Sequence, residues 1–152
     1  MPSRKVKKFL DDQAVKYVKI THSPAYTAQE IAESAHIHGK ELAKTIIVLI
    51  DGKMAMAVLP ATHSIDFDYF RKAIGAEIIK LASEVQFKDA FPDCEVGAMP
   101  PLGNLYGMDV YVDDHLTKDK EIAFNAGTHF ELFRMSYEDF ARLVNPKVMK
   151  LA

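Results

Sequence analysis

The chain has 152 residues, 49% hydrophobic and 26% charged, a balance that excludes a disordered or low-complexity segment. A formal net charge of −2 removes any whole-surface attraction to nucleic acid or membrane. The single cysteine, Cys94, excludes an internal disulfide framework and every CxxC metal or redox motif.

At this length one domain, residues 1–152, is expected. The first residues, Met1 to Lys8, are basic but lack a following apolar stretch, so they do not read as a secretory signal. The longest apolar run, Met54 to Ala61, falls far short of the ~20 residues that cross a bilayer. A reducing cytoplasm is the expected location. Charge is uneven: the first 20 residues carry an excess of four positive charges, from Arg4, Lys5, Lys7, Lys8, Lys16 and Lys19 over Asp11 and Asp12. That stripe is either a solvated helix face or a local contact for a polyanion.

In chain order, Val6, Phe9, Ala14 and Val15 predict a helix over residues 3–15, and Tyr17, Val18 and Ile20 a short strand. Pro24 breaks the path. Thr27-Ala28-Gln29-Glu30 reads as a capping box opening a helix that ends near His36 to Gly39. Thr45–Ile50, the turn Asp51-Gly52-Lys53 and Met54–Leu59 predict a hairpin covered on both faces. Ile65 to Gly75 reads as a helix, Ile78 to Leu81 as a strand, and Ser83-Glu84-Val85-Gln86 as a second capping box before Pro92. The Gly/Pro-rich stretch from Val96 to Gly107 cannot be a regular element. Met108–Val112, Glu121–Ala126 and Phe130–Met135 then predict three strands, and a last helix runs from Ser136 to Val144, stopped by Asn145-Pro146. Several strand pairs are joined by hairpins too short for helical crossovers. The expected fold is therefore α+β, with a mixed, largely antiparallel, barrel-like central sheet surrounded by helices.

Familiar catalytic signatures are absent from the sequence. Gly39-Lys40-Glu41 and Gly52-Lys53-Met54 lack the rest of a P-loop, and neither G-x-G-x-x-G nor G-x-S-x-G occurs. Six histidines, including His36-Ile37-His38, form no HExxH or i,i+4 pair, so neither metal nor cofactor is expected. Cys94 is either a small filler or a nucleophile beside a distant histidine.

Three features carry chemistry. Lys44 opens an apolar strand, as a solvated flank or as a cation held over a pocket. The loop from Gly97 to Gly107 is irregular and apolar; its glycines let backbone N–H groups approach a carbonyl or anion while Pro100 and Pro101 stiffen it. Asn125-Ala126-Gly127-Thr128-His129 places amide, hydroxyl and imidazole beside a glycine between two strands.

Ala43-Lys44-Thr45, Gly97-x-x-Pro100-Pro101-x-Gly103 and Asn125-Ala126-Gly127-Thr128-His129, in this order, resemble the YbaK family, the aminoacyl-tRNA deacylase domain also found inserted in bacterial prolyl-tRNA synthetases. The resemblance spans residues 20–146, and His22 with Thr27-Ala28 is a softer match. It implies a free-standing trans-editing enzyme that hydrolyses the ester of a mischarged tRNA, tRNA for proline carrying a small non-cognate amino acid. It assigns Lys44, Gly97 and Gly103 to catalysis, and Thr45, Pro100, Pro101, Asn125, Gly127 and His129 to substrate binding. Lys5, Lys7, Lys8 and Lys16 become the tRNA contact. Mischarged tRNA and a synthetase are the implied partners; DNA and membrane are not. The alternative is a non-catalytic module of the same fold that binds aminoacyl-tRNA or a synthetase.

Overall fold

The hairpin forms where its residues demand it. In the computed structural model, which describes residues 3–24, 30, 33, 35 and 41–152, β2 (Ala43–Ile50) and β3 (Lys53–Pro60) pair antiparallel from Ala43↔Pro60 to Ile50↔Lys53. Asp51 and Gly52 both have positive φ, 49° and 85°, matching the strand twist. The Asp51 carboxylate also accepts the Glu77 and Ile78 amides at 3.1 and 2.8 Å, tying the hairpin tip to the next strand. The capping box at residues 27–30 and the helix end at His36–Gly39 lie outside the described residues.

Elsewhere the elements follow the sequence closely. Helix α1 (Arg4–Asp12) is capped by Ser3, and β1 (Tyr17–Thr21) follows it. Helix α2 (Phe67–Ile74) has Asp66 as its cap and ends at left-handed Gly75. After β4 (Ile79–Leu81), both bonds of the Ser83/Gln86 capping box form and open α3 (Glu84–Phe87). Then come β5 (Asp109–Asp113), β6 (Glu121–Thr128), β7 (Glu131–Ser136) and α4 (Tyr137–Val144), the last ending at left-handed Asn145. Additions are 3₁₀ turns at Gly103–Leu105 and Asp114–Lys118 and a short strand, β8 (Lys147–Met149); the first corrects the reading of Val96 to Gly107 as wholly irregular, one tight turn fitting between its glycines. None of the described helices is long and apolar enough to cross a membrane.

The strands form two sheets, β1-β7-β6 and β4-β2-β3-β5-β8. The first is antiparallel; in the second, β5 runs parallel to both β3 and β8. The α+β class with a mixed sheet holds, but the sheet does not close into a barrel. Among the described residues a single bridge, Leu42↔Ala123, joins the two sheets. Beyond it they are wedged apart by a shared layer containing Met56, Val58, Val112, Phe124, Phe133 and Met135. Side chains of that size hold sheets ~10 Å apart, about twice the spacing that strand pairing allows.

Alternation along β3 sends Met56 and Val58 into that layer and Ala55 and Ala57 to the opposite face, where Phe70 of α2 and Leu151 cover them. This is why the strand is apolar throughout. Phe70, Phe124, Phe133 and Phe140 are fully or almost fully buried, each worth roughly 1.5–3 kcal/mol relative to exposure.

Asp113, at the end of β5, is fully buried and closes the second sheet. Its Oδ2 accepts the Leu151 and Ala152 amides at 3.0 and 3.1 Å, and its Oδ1 accepts the His115 amide at 2.9 Å. Asp113→Ala leaves three amides without an acceptor and is expected to cost about 3 kcal/mol, read as a lower urea midpoint at unchanged m-value.

Candidate functional site

The site is built around an irregularity in β6. Its pairing with β7 shifts between Asn125↔Leu132 and Thr128↔Glu131, which makes Ala126-Gly127 a bulge and lets the strand continue to Thr128. The hairpin turn is therefore shorter than the sequence suggests. Gly127 has φ +101°, and a Cβ there would lie 3.0 Å from the Ser3 Cβ. Its amide donates to the Ala98 carbonyl at 3.0 Å, and its own carbonyl accepts the Glu95 amide at 2.8 Å. The Ser3 amide donates to the Ala126 carbonyl at 2.7 Å. One glycine thus fastens the first turn of α1 and the 95–98 segment to the end of β6.

The same segment fixes His129. Its amide donates to Glu95 Oε1 at 3.1 Å, and its Nε2 meets the Val96 carbonyl at 2.8 Å. A carbonyl only accepts, so Nε2 carries the hydrogen and is not a base in this arrangement. Gly97 lies against this ring: a Cβ on it would be 3.4 Å from His129 Cε1. The Gly97 amide faces only the Met99 thioether, at 3.2 Å, a weak acceptor that a better one displaces.

Lys44 enters from the other sheet. The Leu42↔Ala123 bridge is parallel, and the Ala123 amide donates to the Glu41 carbonyl at 3.0 Å, so the start of β2 travels beside β6 toward Asn125. Leu42, Ala123 and Leu132 form a small apolar cluster with Ile20 and Ala61 packed against it. Strand alternation places Lys44 on the Leu42 side and Asn125 on the Ala123 side. The ladder between β1 and β7 extends to the His22 amide on the Phe130 carbonyl at 2.9 Å, which sets His22 on the Ile20 side. Polar atoms left without partners mark this face: His22 Nε2 and Asn125 Oδ1 are buried and unbonded. Lys44 makes no ion pair among the described residues, and burial lowers its pKa from the ordinary lysine value.

The other expected residues divide. Gly127, His129 and Gly97 are brought together, while Asn125 lies before the bulge on the face that Lys44 shares. Thr45 is not on the side of Lys44: alternation turns it toward Ala43 and Ile47, where its hydroxyl is buried without a partner. Pro100 and Pro101 are buried. Gly103 packs beneath β5, where a Cβ would lie 2.5 Å from Val110 Cγ2 and 2.7 Å from the Met108 carbonyl oxygen. Of the basic stripe, Lys7 and Lys8 pair with Asp11 and Asp12 at 2.8 and 2.6 Å, Lys5 lies over the Tyr106 ring, and Lys16 is exposed. Cys94 is half-buried, and burial pushes its thiol up to about 11. Sequence reasoning missed Ser3 and Glu95. An N-cap serine before the first helical stripe was the available signal for Ser3; Glu95 had none.

A sequence profile described as the aminoacyl-tRNA editing domain matches residues 22–143. Proline--tRNA ligase of Bacillus mycoides (strain KBAB4) is 23% identical over 103 residues, 67% of this chain and 18% of that protein. Proline--tRNA ligase 1 of Bacillus thuringiensis subsp. konkukian (strain 97-27) is 25% identical over 93 residues, 60% of this chain and 16% of that protein. The chain thus spans less than a fifth of these curated relatives. Among solved structures, hypothetical protein APE2540 superposes with a TM-score of 0.86 at 21% identity, over 97% of this chain and 99% of that one. A proposed trans-editing enzyme for prolyl tRNA synthetase superposes with a TM-score of 0.83 at 20% identity, over 98% and 95%. These two likenesses establish the shared fold. With four-fifths of its length matched by the profile, this chain belongs to the aminoacyl-tRNA editing domain family.

Proposed function

We propose that the chain is a deacylase acting in trans on mischarged tRNA, cleaving the ester between a small non-cognate amino acid and the 3′-terminal ribose. The observation that carries this reading is Lys44: a partly desolvated cation with no counter-charge among the described residues, set by strand alternation on the same face as the buried Asn125 Oδ1, which has no hydrogen-bond partner among them. An anionic substrate group supplies the missing partner. Family membership supports the editing role, and the names of the ligase relatives direct the choice of tRNA toward proline.

An aminoacyl ester is already activated, so modest help suffices. Water adds to the carbonyl carbon, charge gathers on the carbonyl oxygen, and the carbon–oxygen bond to ribose breaks. The ribose oxygen takes a proton, and the amino acid leaves as a carboxylate. In this reading the Lys44 ammonium offsets negative charge on the terminal phosphate or the developing oxyanion. The Gly97 amide leaves Met99 to join it, and such donors contribute a few kcal/mol each. Asn125 and His22 bind the polar edges of the substrate, and Gly127 and His129 hold the 95–98 segment in place. Pro100, Pro101 and Gly103 act through loop shape, and Thr45 through the packing of β2. The need for such an enzyme is thermodynamic: a synthetase pocket rejects a near-isosteric amino acid by only about 1–3 kcal/mol.

For the nucleic acid, a groove of about 570 Å³ lined by Arg4, Lys7, Tyr17, Lys19, Phe130 and Glu131 begins one residue from His129. Its cations and aromatic faces suit the single-stranded acceptor end, which moves the expected contact from the outer stripe of α1 to its inner edge.

The assay is hydrolysis of tRNA for proline charged with alanine, cysteine, serine or threonine. Lys44→Ala is expected to lower kcat/KM at least about 100-fold; no turnover by the unaltered protein on any of these would favour the non-catalytic module. Lys44→Met should abolish turnover yet raise the thermal midpoint, because it removes an unpaired, half-buried charge. With the folded-state pKa depressed, that stability gap is full at neutral pH. It narrows as pH climbs from the folded pKa toward the unfolded value near 10.5, where the unfolded chain binds more protons. Cys94 takes no part: at neutral pH its alkylation, followed by mass spectrometry, should run about 100-fold slower than that of a thiol near 9.0, and turnover should survive Cys94→Ala.

A further inference from the structure

Outside this hollow, three potential ligands converge at the C-terminal ends of β3 and β5. The parallel pairing Val58↔Val112 sets those ends side by side, so the chain leaving β3 brings His63 to Asp113 and to His115 in the following 3₁₀ turn. One ligand atom from each of the three lies within 4.8 Å of the other two. The rings of His63 and His115 meet edge to face, with centroids 4.8 Å apart. His115 Nδ1 lies 2.6 Å from Asp113 Oδ1 and 3.2 Å from Asp114 Oδ1. Asp113 Oδ2 is held by the Leu151 and Ala152 amides, so the carboxylate cannot turn away.

Hydrogen bonding within the cluster explains His115 but not His63. The His63 Nδ1 atom is buried and has no hydrogen-bond partner. A buried ring nitrogen left in this state is unfavourable unless something absent from the apo-protein satisfies it.

We infer that His63, Asp113 and His115 form a binding site for a divalent transition metal of the zinc type. Two imidazole nitrogens and one carboxylate oxygen suit Zn²⁺ or Co²⁺; the site has no thiolate to select Cu⁺ and too few oxygens for Ca²⁺. His115 is exposed, so water completes the coordination from the solvent side. The metal takes the place of the proton between His115 and Asp113. Two ligands of a tetrahedral zinc stand roughly 3.3 Å apart at bond lengths of about 2.0 Å, so the 2.6 Å contact opens by several tenths of an ångström as the ion enters. The ion links the segment after β3, the corner after β5 and, through Asp113, residues 151–152. This site is independent of the proposed deacylase activity.

The test uses the full chain, stripped with a chelator and titrated with Zn²⁺ by calorimetry and with Co²⁺ by visible absorption. One ion per chain and a raised thermal midpoint are expected. His63→Ala and His115→Ala should each weaken binding at least tenfold, while the double variant His36→Ala/His38→Ala should retain it. His63→Gln provides a milder variant if His63→Ala fails to fold. Failure of the unaltered chain to bind either ion would overturn the assignment. So would unchanged affinity in the folded His63 and His115 variants, or loss of binding in the His36/His38 variant.

Discussion

Gly127 is the constraint on which the rest of the site depends. Both of its backbone groups are committed to the 95–98 segment, its neighbour Ala126 holds the N-cap of α1, and its φ is left-handed. A side chain there would press on the Ser3 Cβ and amide nitrogen, at 3.0 and 3.2 Å. Because β6 bulges at this point, its last residues leave the regular ladder, and His129 emerges where it can bond Val96 and touch Gly97. A regular strand would instead spend those amides on β7. The irregular loop is ordered because a strand end supplies its hydrogen-bond partners.

The face beside this clamp carries polar groups that the fold itself leaves unsatisfied among the described residues. His22 Nε2 and Asn125 Oδ1 are buried without partners, and Lys44 is partly desolvated without a counter-charge among the described residues. Buried polar groups are ordinarily satisfied, and each exception costs roughly 1–3 kcal/mol. The two shared cores supply the compensating stability: each face of β3 is sealed by a different set of large side chains. A rigid sheet can hold such a set of dissatisfied groups in fixed positions, and a substrate that meets them gains what the empty fold lost.

Local signals were legible because local chemistry writes them. Asp51-Gly52 specified the hairpin, Ser83 with Gln86 the capping box, and Asn145-Pro146 the end of α4. The family motifs likewise single out Gly97, Gly127 and His129, which the structure packs against one segment, residues 95–98. What the sequence did not disclose depends on pairings between distant segments. The barrel was expected because strand count says nothing about the side-chain layer that keeps two sheets apart. The resemblance puts Thr45 in the substrate pocket with Lys44, although adjacent strand residues face opposite ways. Gly103 has the same composition-level signature as Gly97, yet one glycine admits β5 and the other admits an imidazole. His63 and His115 are 52 positions apart and meet only because β3 and β5 run parallel.

The charge distribution also follows from the proposed work. An editing protein acting in trans meets correctly charged tRNA far more often than mischarged tRNA and must release it quickly. Uniform basic charge would oppose that, since each neutralised phosphate adds affinity regardless of the attached amino acid. This chain carries a net −2 and ties Lys7 and Lys8 to acids one helical turn away. Lys19 in turn lies 3.8 Å from a Glu131 carboxylate oxygen, so the track it forms with Arg4, next to Phe130 and His129, is short and partly neutralised. In the proposed reading, weak backbone attraction shifts discrimination from the phosphates to the aminoacyl group, which Lys44, Asn125 and the Gly97 amide are proposed to meet. On that proposal affinity is greatest only when the ester itself is bound.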